Sequence, residues 1–240
     1  MKSSQKYLYE WIFYCLLANL FFSSCNIGTI EPMENAKTSA YYPLVKGKYI
    51  IYEVLYITYK GDLGPNDTVK YLLKEKINAD FIDATGTTTF LLDRFKRTAS
   101  QKTWEIDSVW AVRIDRNRIV KQEHNLPLIK LVFPERENLS WNGNALNNLP
   151  TVIYTMKNVG KPFVVKTKNF PKTVVVEQKN EKNLLRKNIE REVYAKDIGL
   201  IYKYVELINY VSETGSPNYG KDVIVSGFLL EQKILESGVE

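Results

Sequence analysis

The chain has 240 residues, 33 basic and 27 acidic, a net charge of +6, two cysteines and one histidine. A conventional zinc centre, with its three or four His or Cys ligands, is excluded, and any Ser-His-Asp triad would have to use His124 as its base. Bases and acids alternate, as in "KEKINAD" and "RKNIERE", which reads as a solvated surface with weak attraction to anionic headgroups rather than a nucleic-acid footprint.

Lys2 and Lys6 give the N-terminus a positive start, Trp11 to Phe22 is apolar except for Asn19, and Ser23 and Ser24 are small. That order predicts a signal peptide over residues 1–24. A spanning helix needs ~20 apolar residues, and only 14 separate Glu10 from Cys25. An uncleaved anchor is the competing reading. "FSSC" (residues 22–25) resembles the lipobox of bacterial lipoproteins, although Phe22 stands where that motif usually has Leu. The resemblance implies a diacylglycerol thioether on Cys25, cleavage just before it, and acylation of the new N-terminus by a chain such as palmitate. Each buried methylene contributes ~0.8 kcal/mol, and two or more chains hold firmly. Cys15 would leave with the signal, so no internal disulfide can form in the mature chain. Lipidation accounts for the cysteine left over.

Residues 25–40 read as a lipidated flexible tether, because "NIGTIEPMENAKTSA" is polar and without periodicity. Fully extended it reaches roughly 50 Å. Loss of residues 1–24 lowers the net charge from +6 to +5 and leaves about 215 residues, enough for one sizeable β domain or two small ones; a single antiparallel β domain is expected over 41–240. Sixteen tyrosines and ten phenylalanines favour sheet.

Tyr49 to Tyr59 predicts a long central strand, apolar on both faces, closed by the turn "KGDLGPND". In Val69 to Ala79, Val69, Tyr71, Leu73, Ile77 and Ala79 share a face that Glu75 interrupts. Thr87 to Phe95 predicts another strand. In Thr103 to Ile114, Trp104, Ile106, Trp110, Val112 and Ile114 fall on one side, with Glu105, Asp107 and Arg113 opposite. Period-two patterns of this kind mark half-buried strands. "DRNR" is a turn into Ile119–Glu123, and residues 126–148 read as loops around a short strand. Lys172–Glu177 is β, Leu184–Glu192 is a short helix or a charged strand, and 193–210 is two strands bent at Gly199. Val223–Ile234 ends the set. Nine or ten strands at these spacings predict an antiparallel meander.

"YYPLVKGKYIIYEV", "LPLIKLVFP", "LSWNGN" and "VYAKDIGLIYKYVEL" resemble segments of uncharacterised lipoproteins of Bacteroidota-type bacteria, over most of residues 41–210. The resemblance implies a mainly β fold: one curved antiparallel sheet, a half-barrel or open barrel with at most one or two short helices, similar to LolA and LolB. It also implies an outer-membrane location. Surface-displayed members of such lipoproteins tend to carry acidic residues directly after the lipidated cysteine; none directly follows Cys25 here, so the resemblance implies the periplasmic face.

No chemistry stands out. His124 reads as an exposed strand-end residue, and no G-x-S-x-G precedes a helix. Asp62, Asp67, Asp80 and Asp83 sit in turns, where carboxylates serve the backbone, and Gly61 and Gly64 precede no helix. Tyr49, Tyr52, Tyr56, Trp104 and Trp110 are candidates for an apolar pocket that takes an acyl chain; packing in a core is the alternative. No enzyme activity and no cofactor are expected. The expected function is a membrane-anchored binding or scaffold module partnered by an outer-membrane assembly. A carrier of lipid or lipidated protein is the alternative.

Overall fold

The computed structural model describes residues 40–240. The signal segment, Cys25 and the tether up to residue 39 lie outside the described residues. Twelve strands follow in chain order: β1 (Lys48–Tyr59), β2 (Asp67–Ile82), β3 (Thr88–Arg97), β4 (Glu105–Asp115), β5 (Arg118–Glu123) and β6 (Leu126–Val132). The second half holds β7 (Ser140–Asn142), β8 (Ile153–Val165), β9 (Lys168–Lys182), β10 (Arg186–Ala195), β11 (Gly199–Tyr210) and β12 (Ile224–Val239). Among the described residues the sole helical element is a 3-10 turn, Gly61–Leu63.

Each strand pairs with its chain neighbour, β12 pairs back onto β1, and the ladder breaks between β6 and β7. All pairings are antiparallel. The result is the expected mainly β fold, a single curved antiparallel sheet in meander order, here nearly closed as a barrel. The strand count is higher than expected. Residues 126–148 supply two strands, β6 and β7. β8 was hidden because Gly160 and Pro162 interrupt its alternation. The stretch that read as helix or strand, 184–192, falls mostly in β10.

Alternation sets the core. Ile50, Tyr52 and Val54 of β1, Leu73 and Ile77 of β2, Val174 and Val176 of β9, and Tyr194 of β10 are all buried in one cluster. The β8–β9 hairpin adds a partial outer layer. It bends at Asn158 and Gly160, whose φ angles are 54° and 72°, and the Glu137 carboxylate accepts the Asn158 and Val159 N–H groups at 3.1 and 3.0 Å. Beyond the bend, Phe163 lies 5.7 Å from the Tyr202 ring and Lys166 pairs with Glu53 at 2.8 Å. The hairpin therefore crosses the outside of β11 and β1.

At the break, Ile129 N–H donates to the Gly143 carbonyl and Trp141 Nε1–H to the Ile129 carbonyl, both at 2.9 Å. Gly143 fits there because it has no Cβ. One built on it would stand 2.4 Å from Tyr154 Cζ, inside a ring that is itself buried. Gly143→Ala is expected to lower stability by about 1–3 kcal/mol in a urea melt, as overpacking generally does. An unchanged midpoint would mean that the Tyr154 ring moves freely.

Candidate functional site

The inward faces are not uniformly apolar. Glu75 (β2), Arg94 (β3), Lys121 and Glu123 (β5), Lys130 (β6), Glu192 (β10) and Lys203 (β11) meet in one charge network inside the barrel. Arg94 Nε lies 3.1 Å from Glu75, and Arg94 Nη1 lies 3.0 Å from Asp107 of β4. Lys121 reaches Glu75 at 3.5 Å and Glu123 at 3.6 Å. Lys130 reaches Glu123 at 3.4 Å and Glu192 at 2.7 Å. Lys203 stands 3.5 Å from Glu192, and Tyr194 O–H donates to Glu192 at 2.6 Å. Glu192 and Lys130 are only 1% and 3% exposed. A charge so far from water persists only if it is paired and hydrogen-bonded.

A local irregularity accompanies Lys130's place in this network. In the β5–β6 ladder Ile119 pairs with Leu131 and Val120 with Ile129, so Lys130 is the unpaired extra residue of a bulge. Bulges re-aim side chains, and here the side chain crosses the barrel to β10. The network thus ties the β5–β6 edge to the opposite half of the sheet, across the break in the ladder.

Burial pushes the Glu123 and Glu192 carboxyls up, but neighbouring lysines outweigh it. Lys130, Lys203 and Lys121 hold Glu123 well below the usual carboxylate range, and Lys130 with Lys203 lowers Glu192 as well. Lys130 is in turn held above its ordinary value, because the two carboxylates outweigh its burial. Tyr52 and Tyr194 are pushed well above 10.0, chiefly by burial, and Tyr154 up to about 12 for the same first reason. Tyr52 and Tyr194 are neutral hydrogen-bond donors, to the Leu200 carbonyl and to Glu192. The arrangement holds charge in place. His124, the single histidine, is exposed at the β5–β6 turn with its ring 5.4 Å from Trp110. Asp83 is a turn carboxylate, held down to about 2 by the Thr85 hydroxyl and by the Thr85 and Thr87 N–H groups. Among the described residues, no cluster of three His, Cys, Asp or Glu side chains could hold a metal.

The aromatic candidates divide. Tyr52 and Trp110 both face inward and meet the network. Tyr52 O–H donates to the Leu200 carbonyl at 3.1 Å. Trp110 has Arg94 3.7 Å and Lys121 4.5 Å from its ring, two cation–π contacts. Tyr56 alternates with Tyr52, is half-buried, and stacks on Phe228 at 5.5 Å. Tyr49 is on the outer face, bonded to Glu236 at 2.6 Å. Trp104 is stacked under Arg97 at 4.5 Å and lies apart from Trp110, although the two share parity. A bulge between β3 and β4 explains this: Ser108 pairs with Arg94 and Ile106 with Phe95, so Asp107 is the extra residue. Below it the faces exchange, leaving Ile106 67% exposed and Asp107 bonded to Arg94. Cys25 lies outside the described residues.

Sequence reading missed the network itself. Its one visible signal was Glu75, recognisable as an interruption of an otherwise apolar face. A cavity of about 40 Å³ lies at the Tyr42 end, between Tyr52, Glu75, Leu92 and Leu200, whereas small-molecule pockets run from ~300 Å³. Two larger grooves are open and lie where pairing stops. One, of about 330 Å³, lies against Val109, Trp110 and His124, next to the stretch of β4 that extends past β5, whose first partner is Ala111. The other, of about 470 Å³, lies between the start of β8 and the end of β9. Among the described residues no helix is long and apolar enough to cross a membrane. The chain matches no protein-family model, and no curated protein or solved structure is similar enough to count as a match.

Proposed function

We propose that this chain is a lipid-anchored protein of the bacterial outer membrane, facing the periplasm, whose barrel is a non-enzymatic binding or scaffold module for another envelope protein. One observation carries the binding half of this reading. The inward faces carry packed side chains and a mutually paired charge network, the cavity between Tyr52, Glu75, Leu92 and Leu200 is about 40 Å³, and grooves of about 330 and 470 Å³ lie at strand ends. This arrangement favours recognition at the rim, by a macromolecule. The anchor half rests on "FSSC" and on the resemblance to lipoproteins of Bacteroidota-type bacteria. The carrier alternative draws support from the half-buried Tyr56–Phe228 stack, an inward apolar surface that an acyl chain could touch.

Crosslinking and mass spectrometry of the native protein in its membrane is expected to recover an envelope protein joined through rim residues. Recovery of bound lipid with no protein partner would favour the carrier. Cys25→Ala is expected to abolish incorporation of an acyl label; unchanged labelling would remove the anchor.

A further inference from the structure

The β8–β9 ladder opens before either strand ends. Its last pair at this end is Thr155 with Glu177. Beyond it β8 stays paired only on its other edge, to β7, with Tyr154 opposite Trp141 and Ile153 opposite Asn142. β9 instead continues beside β10 to the pair of Lys182 with Lys187. Residues 178–182 therefore have a paired side toward β10 and an open side toward β8. The wedge between the strands is the 470 Å³ groove, lined on one side by Thr151 and Ile153 and on the other by Gln178, Lys179 and Asn180.

Gln178 marks this wedge independently. It is the extra residue of a bulge, since Glu190 pairs with Lys179 and Arg191 with Glu177. The side chain is 5% exposed and its Nε2 is buried without a hydrogen-bond partner. A buried amide donor left unpaired destabilises the fold, and such groups call for an explanation. An acceptor arriving in the groove would supply one.

We infer that the β8–β9 wedge is a peptide-binding site, in which an extended segment of a partner protein pairs with the open edge of β9 and accepts a hydrogen bond from Gln178 Nε2 through a backbone carbonyl. Strand addition of this kind draws affinity from main-chain hydrogen bonds and selectivity from alternate side chains. Here the exposed Ile153 offers an apolar contact to those alternate residues. The inference rests on the scaffold reading and names its site.

The test is selection of displayed random nonapeptides on the full-length protein, followed by synthesis of the enriched sequences. Three results are expected: slowed amide hydrogen exchange at 178–182 on binding, loss of binding when the peptide backbone is N-methylated, and about tenfold weaker binding to Gln178→Leu, the worth of one hydrogen bond. Without peptide, Gln178→Leu should raise Tm by about 2–4 °C, because an orphaned polar group is replaced by an apolar one of similar size. Failure to enrich any peptide, protection confined to other strands, or a lower Tm for Gln178→Leu would each overturn the site. Native crosslinks through other rim residues would leave the scaffold reading standing while this wedge falls; absence of any protein crosslink would remove both.

Discussion

Lys130→Met is expected to destabilise the barrel by about 3–5 kcal/mol, the cost of leaving a buried charge without its partner. Lys130 is the nearest cation to Glu192, at 2.7 Å against 3.5 Å for Lys203, and Glu192 has almost no access to water. Guanidinium melts should show the loss. The double variant Lys130→Met/Glu192→Leu should recover much of it, because replacing both charges by apolar groups is often neutral. The pH dependence gives a second readout. Glu123 and Glu192 have folded values below their ordinary 4.5. Their contribution is fully present above the unfolded value and is lost as pH falls through the folded ones. The native protein should therefore weaken steadily in acid. In Lys130→Met the Glu192 carboxyl is pushed upward, protonation no longer opposes folding, and the penalty should be smaller at pH 4 than at pH 8. Equal penalties at both would show that Glu192 is not the group left stranded.

Gly227→Val should cost about 3 kcal/mol or more, for a reason unrelated to charge. Gly227 lies in β12 opposite Ile208 of β11 and Tyr59 of β1, with φ at 144°. A Cβ there would sit 2.1 Å from the Leu207 carbonyl oxygen and 2.9 Å from Ile208 Cα. Both atoms belong to the backbone of a strand paired on two sides, so no rotamer change relieves the overlap. Strained φ and overpacking each cost on the order of 1–3 kcal/mol. Urea melts of the two variants check this: Gly215→Ala is the matched control, because its Cβ meets nothing within 4 Å, and should be near-neutral. Similar losses for both variants would mean that Gly227 is not held by its neighbours.

Much of the sheet was legible because a strand half in water writes a period of two into its own residues. The first part of β2 could be read this way from Leu73 and Ile77, and the second part of β4 from Trp110, Val112 and Ile114, while β1 showed as an apolar run on both faces and β5 followed the turn "DRNR". The weakest readings fell where alternation is broken locally. β8 carries Gly160 and Pro162, β7 is three residues long, and the "RKNIERE" stretch of β10 has too much charge to show its face.

The candidate residues show the same limit. Trp104 and Trp110 have equal parity, yet an extra residue at Asp107 sends them to different environments. Lys130 and Gln178 are also bulge residues, and no spacing rule marks a bulge in a single strand. It exists only as a mismatch of register between two strands, and pairing partners are chosen by the whole sheet. Residues alone thus determined that the chain makes antiparallel strands and has one histidine available for chemistry. Tertiary structure decided that Glu75, Glu123, Lys130 and Glu192 share a water-poor interior, and that β8 and β9 part beyond Glu177. Burial and electrostatic pairing depend on distances across the barrel, as between Lys130 and Glu192, 62 positions apart, and local sequence carries no record of them.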